Sequence, residues 1–272
     1  MMVIVKKLFR GTVVHRLYIF VKNSILRHRG LRIDEQYFVS DNSVNFLVFG
    51  TKNAQWTCLD RNIEGSTIIS IGAGEDISSD LQISAARNCK VVIVDATPRA
   101  IKHVKVILEE IERTGSVCAY GEPIHGLTSE SFSLVQKYVW TEDGHSEAFA
   151  PSNPAHVSHS IIDFQNQYSR GGDFIVVPTI TLKALLESHG IDPLQLEVLK
   201  MDIEGAEVEV ISQMLSEGIK PRQLLVEYDE LGFPTKKGVR RVRASIDTLY
   251  EAGYELAWSS GVSDSLFVRS DI

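Results

Sequence analysis

The chain contains 272 residues, of which 44% are hydrophobic and 23% charged, and its formal net charge is −7. This composition is typical of a globular protein, and the acidic balance argues against a nucleic-acid partner because an acidic surface repels phosphates. The three cysteines are scattered without a CxxC pair, so they predict neither a disulfide framework nor a zinc site and favour a reducing, cytoplasmic compartment.

The amino-terminal segment differs in charge from the rest of the chain. Residues 1–33 contain eight Lys or Arg residues and no Asp or Glu, interleaved with apolar residues. We favour a helix that packs on the following domain with a solvated basic face; the alternative is peripheral contact with an anionic inner membrane surface. Lys22 interrupts the apolar stretch before it is long enough to span a bilayer. We therefore predict a basic helical extension and hairpin over 1–50, followed by a catalytic domain over 51–272.

A strand, a glycine turn, a helix and a second strand then follow in close succession. The β-branched run at 67–71 leads into Gly72 and Gly74, and a second apolar run at 91–94 ends in Asp95. Open α/β sheets hold an adenosine ribose with this unit, because the glycines allow close approach and the acid accepts hydrogen bonds from ribose hydroxyls. Asp95 follows Gly72 by 23 positions, close to the spacing of about 20 that the unit requires.

The residues after the glycines indicate the kind of adenosine ligand. A dinucleotide places its pyrophosphate at the N-terminus of the next helix, where backbone N–H groups and the helix dipole favour negative charge. Here that end carries Glu75 and Asp76, and no third glycine follows. Two carboxylates suit a ligand that combines adenosine with a positive group, such as the sulfonium and ammonium of S-adenosylmethionine. The alternative is that both acids only cap the helix and that Asp95 only ends a strand.

Predicted strands and helices alternate along most of the remaining chain. We predict helices at 77–88, 98–113, 181–189, 206–217 and 238–251, and strands at 67–72, 90–95, 117–120, 196–202, 223–228, 254–259 and 265–269. The stretch at about 122–178 is rich in Ser, Gly, Pro and His and is predicted to be a loop or hairpin insertion. The pattern predicts an α/β, Rossmann-like fold: a seven-stranded, mostly parallel sheet with helices on both faces. The strand ends then place Gly72, Asp95, Asp202 and Asp229 along one edge.

A second polar group lies at the end of the strand predicted at 196–202. Lys200, Asp202 and Glu204 alternate, so they point the same way while the chain stays extended. The next strand ends near Glu227 and Asp229. Carboxylates at adjacent strand ends serve as a general base or hold a divalent cation, and we favour the base because no spaced ligand motif supports a metal. A structural ion pair at the strand end is the alternative.

Six motifs, in this order, resemble those of FkbM-type S-adenosylmethionine-dependent methyltransferases. They lie at 71–78, 95–98, 156–160, 177–182, 199–207 and 225–227, and the Lys-x-Asp-x-Glu-Gly-Ala-Glu block is the specific one. The similarity covers roughly residues 45–270. It implies a class I methyltransferase fold with S-adenosyl-L-methionine as cofactor and, most often, O-methylation of sugar or polyketide hydroxyls. Ser70 stands where methyltransferases commonly carry an acid, two residues before the first glycine.

Together these observations predict one site without a metal ion. The expected cofactor-binding residues are Ser70, Gly72, Gly74, Glu75, Asp76, Asp95, Ala96 and Asp202. The two glycines and Glu75 are expected to frame the methionyl end, and Asp95 to hold the ribose. Asp202 or Glu204 is expected to face the acceptor, with His159 on the insertion as the alternative base because histidine titrates near neutral pH. The insertion is the expected acceptor lid.

Two other function classes fit parts of the pattern. A nicotinamide-dependent oxidoreductase uses the same opening unit, although Glu75, Asp76 and the paired terminal strands argue against it. A catalytically silent module that keeps the cofactor pocket is the other alternative, and Ser70 is the residue that favours it. For the methyltransferase we expect a small-molecule or glycan acceptor and no nucleic-acid partner.

Overall fold

The computed structural model describes residues 24–26, 31, 45–61, 63–151, 158–162, 172–232 and 234–271. Most of the predicted basic extension, and the part of the predicted hairpin before residue 45, lie outside these ranges. Within them, no helix is both long and apolar enough to cross a membrane.

The helices and strands named below follow one another along the chain. They are β1 (Phe46–Phe49), β2 (Trp56–Leu59), β3 (Thr67–Ile71), α1 (Ser78–Arg87), β4 (Lys90–Val94), α2 (Pro98–Thr114), β5 (Ser116–Val117), β6 (Ile124–His125), β7 (Phe132–Val135), β8 (Tyr138–Val139), β9 (Gly144–Phe149), β10 (Phe174–Ile180), α3 (Leu182–Ser188), β11 (Val198–Met201), α4 (Glu207–Ser216), β12 (Gln223–Glu227), α5 (Asp229–Gly232), α6 (Lys236–Glu251), β13 (Tyr254–Ser259) and β14 (Asp264–Arg269).

A seven-stranded sheet forms the centre of the fold, in the order β13-β14-β12-β11-β3-β4-β7. Its strands are parallel except β14, which runs antiparallel to both β12 and β13. The chain leaves β3 towards β4 and β7, then returns to β11 on the other side of β3. Strand order therefore reverses between β3 and β11, and ligands of open α/β sheets bind at such a switch point. The predicted α/β, Rossmann-like sheet with a paired C-terminus is confirmed.

Helices cover both faces of this sheet, because its central strands are apolar on both sides. Along β4, Val92 and Val94 contribute to a core with α3, α4 and α6, whereas Val91 and Ile93 contribute to a second core with α1, α2 and β2. A strand that is buried on both faces has a continuous run of apolar residues, so it can be predicted from the sequence. Full burial of each such side chain contributes about 1.5–3 kcal/mol.

The third strand of the sheet differs from the prediction at 117–120. Val117 pairs with Ile124 in the short β5–β6 hairpin, and β4 pairs instead with β7. The four residues of β7 lie inside the stretch predicted to be an insertion. As an edge strand, β7 has one neighbour and includes Ser133 among apolar residues, so it lacks the apolar run of a central strand.

The predicted insertion also contributes a small sheet. In it, β10 lies between β8, to which it is parallel, and β9, to which it is antiparallel. A further bridge joins Phe149 to Ser160. This sheet follows β7 directly in the chain, so it lies close to the carboxyl edge of the central sheet.

The described residues form a hairpin further along the chain than the one predicted at 36–50. Residues of β1 pair with β2, so the turn lies between Phe49 and Trp56 and opens at Gly50, whose φ is +102°. The domain boundary predicted at residue 50 therefore falls inside this hairpin. Because β2 also contributes Trp56 and Cys58 to the second core, the hairpin packs as part of the α/β domain.

Candidate active site

A cavity of about 740 Å³ opens at the carboxyl ends of β3, β4, β11 and β12. Of the residues predicted from the sequence, the following line it: Gly72, Gly74, Glu75, Asp76, Asp95, Ala96, His159, Asp202 and Glu204. Ser70 does not, because it is fully buried within β3. The structure thus brings every predicted site residue except Ser70 to one cavity.

Gly72 is the point where β3 meets the end of β11. Its φ is +84°, and a Cβ placed on it would lie 1.7 Å from the carbonyl oxygen of Asp202. Its N–H donates to the carbonyl of Val94, at 2.9 Å. Any larger residue would push the two strand ends apart, so glycine is required here by the packing of the chain itself. Gly74 differs: its φ is +56°, but no atom lies within 4 Å of an added Cβ.

Asp95 organises the glycine loop. One of its oxygens accepts from the N–H groups of Ala73 and Gly74, at 2.9 and 3.1 Å, and the other accepts from the N–H and hydroxyl of Thr97, each at 2.8 Å. A carboxylate offers about four acceptor positions, and here all four are used. Two of them hold the loop in shape beside the cavity.

Glu75 and Asp76 also bond to the chain. Glu75 forms an exposed two-point ion pair with Arg99, with its shorter bond at 2.7 Å. Asp76 accepts from the N–H of Ser78 at 3.0 Å and from the hydroxyl of Thr51 at 2.7 Å. Asp76 therefore lies just before α1 and takes up the N–H of Ser78, the first residue of the helix, at the end where a pyrophosphate would bind.

The turn between β11 and α4 has a strained backbone. Glu204 has a φ of +58°, a conformation that costs a non-glycine residue of order 1–3 kcal/mol. The buried carboxylate of Glu207 holds the turn from within, accepting from the N–H groups of Ile203 at 2.8 Å and Gly205 at 2.9 Å. This gives the last acid of the Lys-x-Asp-x-Glu-Gly-Ala-Glu block a positioning role.

Two residues of the small-sheet region hold the same turn from outside. The Tyr138 hydroxyl donates to the carbonyl of Ile203, and the Ser160 hydroxyl donates to the carbonyl of Glu204 at 2.6 Å. Ser160 is fully buried and also accepts from the N–H of Ile162 at 3.0 Å. The segment that carries His159 is thereby fastened to the turn that carries Glu204.

The carboxylates of Asp202 and Glu227 form the acidic end of the cavity. Burial raises the pKa of Asp202 well above its usual range, and the nearby Glu227 and Glu204 raise it further. Burial, with Asp264 and Glu204 close by, raises the pKa of Glu227 from 4.5 to about 7. The Ser263 hydroxyl donates to Glu227 at 3.2 Å. A carboxylate with a pKa near neutral can accept a proton and release it again at ordinary pH.

Comparison with known families identifies the chain. The model of the methyltransferase FkbM domain family matches residues 58–256. This protein belongs to the FkbM methyltransferase family. No curated protein matches it at a significant level. A solved structure of Methyltransferase FkbM from Methylobacillus flagellatus KT is similar over 77% of this chain and 45% of that chain, with 12% identity and a TM-score of 0.41. The chain thus spans less than half the length of that protein.

Two further acids of the cavity were not among the site residues predicted from sequence. Glu227 ends β12 and Asp264 begins β14, and the two are partners in the register of these strands. The sequence does indicate Glu227, which belongs to the motif at 225–227 and lies at the end of a predicted strand. No sequence motif indicates Asp264, because it reaches the cavity only through the pairing of β14 with β12.

The described residues of the chain contain no group of three or more His, Cys, Asp or Glu side chains arranged to hold a metal ion. Asp229, predicted at the sheet edge, begins α5 and is absent from the cavity wall. Its pKa is raised to about 8, mainly by burial and then by Glu204. Burial and the neighbouring acids therefore favour its neutral form behind the cavity.

Proposed function

We propose that this protein uses S-adenosyl-L-methionine to methylate a hydroxyl group of a sugar, a glycan or a related natural product. The observation that carries the proposal is the combination found in one cavity. A glycine loop held by Asp95 lies beside the carboxylates of Asp202 and Glu227, whose pKa values are raised. The glycine loop suits an adenosine ligand, and the carboxylates suit removal of a proton from an acceptor.

The cavity residues fit S-adenosylmethionine better than a dinucleotide. Gly74 leaves open space beside the loop, and Ala73 and Ala96 add small apolar surface. The carboxylate of Asp76 already accepts the N–H of Ser78 at the N-terminus of α1, where a pyrophosphate would bind. Asp95 is the proposed ribose partner: rotation of the Thr97 hydroxyl away from it frees one acceptor position. The carboxyl group of Asp202 can pair with a sulfonium or ammonium group, because a cation bound beside it favours its ionised form.

When bound, the cofactor supplies a methyl group already activated by its sulfonium. The residues of the chain then have two tasks. The glycine loop and the other cavity residues hold the acceptor hydroxyl in line with the methyl group. Alignment of this kind accounts for a large part of catalysis in two-substrate reactions. Glu227, with Asp202 beside it, accepts the proton from the acceptor hydroxyl. General-base help of this kind contributes typically about 10²–10⁴-fold. Glu204 and His159, which also line the cavity, are the other candidates for this role.

Other lining residues of the cavity support a polyhydroxylated acceptor. They include the aromatic side chain of Trp258 and the polar side chains of Ser158, His159 and Ser260. Ser158 and His159 belong to the insertion, which agrees with its proposed use as an acceptor lid. The balance of apolar surface with hydrogen-bonding groups is that of a small-molecule site.

The proposal includes a cytoplasmic location, which the few scattered cysteines of the sequence support. For residues 1–33, peripheral contact with an anionic membrane is the alternative to packing on the domain, and their eight basic residues are the observation behind it. Sedimentation of the full chain with anionic vesicles, compared with neutral ones, tests the membrane contact. Equal recovery in both supernatants contradicts it.

One series of measurements tests the activity. Mass spectrometry of the purified protein should detect S-adenosylhomocysteine, and calorimetry should show binding of S-adenosylhomocysteine but not of NAD. A radiolabelled-methyl screen against glycan and lipid extracts should then identify a labelled hydroxyl. Glu227→Gln should lower the rate of labelling by about 10²–10⁴-fold, whereas Glu255→Gln, at an exposed position on β13, should leave it unchanged. Binding of NAD alone contradicts the proposal, and binding without transfer to any acceptor favours a catalytically silent module.

A further inference from the structure

Lys200 is a buried ammonium group in the wall of the cavity. It belongs to β11, between β3 and β12, and only 6% of its surface is exposed. A buried charge is costly unless it is paired or hydrogen-bonded. Its role in this fold therefore depends on what its ammonium group contacts.

The contacts of Lys200 within the chain leave part of its hydrogen-bonding capacity unused. Its Nζ donates to the carbonyl of Gly72 at 2.9 Å and lies 4.9 Å from the ring centre of Trp56. An ammonium group has three N–H donors. None of the ion pairs found between described residues involves Lys200. Among the described residues, one carbonyl and one aromatic face hold the ammonium group of Lys200, and Lys200 is one of the residues that line the cavity.

The other cations of the cavity wall are placed differently. Among the described lining residues these are Lys52 and Lys137, and both are exposed to solvent. The carboxylates whose charges act on Lys200 lie on three elements: Asp80 on α1, Asp202 after β11 and Glu227 on β12. Because burial favours the neutral form of each of these acids, a ligand that is a permanent anion is a better partner for Lys200.

We infer that Lys200 binds the α-carboxylate of the methionyl group of the cofactor, held in place for this purpose by Gly72 and Trp56. The inference rests on the proposed function and extends it to one residue and one group of the ligand. The methionyl group is zwitterionic, so it needs a cation as well as acids. The glycine loop is the expected place for its methionyl end, and the carbonyl of Gly72 fixes the ammonium group there.

A pair of ligands separates direct binding from a structural role. S-adenosylhomocysteine carries the carboxylate, and its decarboxylated analogue, which keeps the amine, does not. The wild-type protein should bind S-adenosylhomocysteine about 10- to 100-fold more tightly, as expected of a charge-assisted hydrogen bond. In Lys200→Met the ratio of the two affinities, measured by calorimetry, should fall to near one. Lys137→Met, at the exposed lining lysine, should keep the wild-type ratio.

Each outcome bears on the inference. If Lys200 only supports Gly72, the substitution lowers the affinity for both ligands equally. The ratio of the two affinities then stays unchanged, which overturns the inference. Should Lys200→Met fail to fold, the wild-type protein still decides, since a preference below about threefold overturns the inference without any variant. If the wild-type protein binds neither ligand, the proposed function fails as well. Binding of both ligands with equal affinity removes only the role of Lys200.

Discussion

The carbonyl oxygen of Asp202 lies 1.7 Å from the point where a side chain would begin at Gly72. The two residues are 130 positions apart, yet they follow the neighbouring parallel strands β3 and β11. The glycine loop and the turn between β11 and α4 are thus packed directly against each other at the switch point of the sheet. A change in one displaces the other.

The first prediction concerns this contact. Gly72→Ala should destabilise the protein by more than about 4 kcal/mol, because a backbone oxygen has to move and the φ of +84° is unfavourable for alanine. Gly74→Ala is the matched control: it has an unfavourable φ of +56° but open space around its Cβ, so its cost should be about 1–2 kcal/mol. Chemical denaturation of both variants measures the difference. Equal losses contradict the steric explanation.

The second prediction concerns the general base. Glu227→Gln should lower the rate of methyl transfer by about 10²–10⁴-fold while S-adenosylhomocysteine affinity stays within about threefold. In the wild-type protein the rate should rise as pH passes through about 7, because only the ionised Glu227 accepts a proton. The variant should lose this rise. A pH profile of single-turnover rates checks both, and an unchanged profile in Glu227→Gln assigns the base to another residue.

The third prediction concerns stability and pH. The pKa of Glu227 is raised in the folded state from 4.5 to about 7, so ionisation opposes folding. Its contribution to stability is complete below pH 4.5 and is lost as pH rises through about 7. Replacement by Gln removes that loss. Denaturation midpoints between pH 5 and 8 should therefore fall less in Glu227→Gln than in the wild-type protein. Part of the fall should persist, because burial also raises the pKa values of Asp202 and Asp229.

The fourth prediction concerns the fastening of the insertion to the turn. Ser160→Ala leaves the carbonyl of Glu204 without its donor and should cost about 1–3 kcal/mol. Hydrogen exchange at the amides of Ile203 and Gly205 should accelerate, since the strained turn loses its outer support. Ser216→Ala, an exposed control whose hydroxyl bonds only within α4, should change stability by less than about 0.5 kcal/mol. Acceleration confined to the insertion, with the turn unaffected, contradicts the coupling.

The prediction from sequence agrees best with the structure where it depends on a short continuous stretch of residues. The strand, glycine turn, helix and strand from β3 to β4 are recognisable because both strands are buried on both faces and the helix between them is short. Asp95 was correctly placed at the end of β4, beside the loop. The edge strand β7 was missed, because Ser133 interrupts its apolar residues and one neighbouring strand is enough to hold it. The polar stretch around it resembles a loop for the same reason.

The sequence by itself determined the order of the central strands and helices and the residues at the strand ends, since both follow from short apolar runs and glycine positions. Only the tertiary structure decided what those residues contact. Asp95 and Asp76 bond to the chain, Ser70 is buried, and Asp264 reaches the cavity through an antiparallel strand. Hydrogen bonds and raised pKa values depend on distances between residues far apart in the chain, and no local pattern encodes those distances.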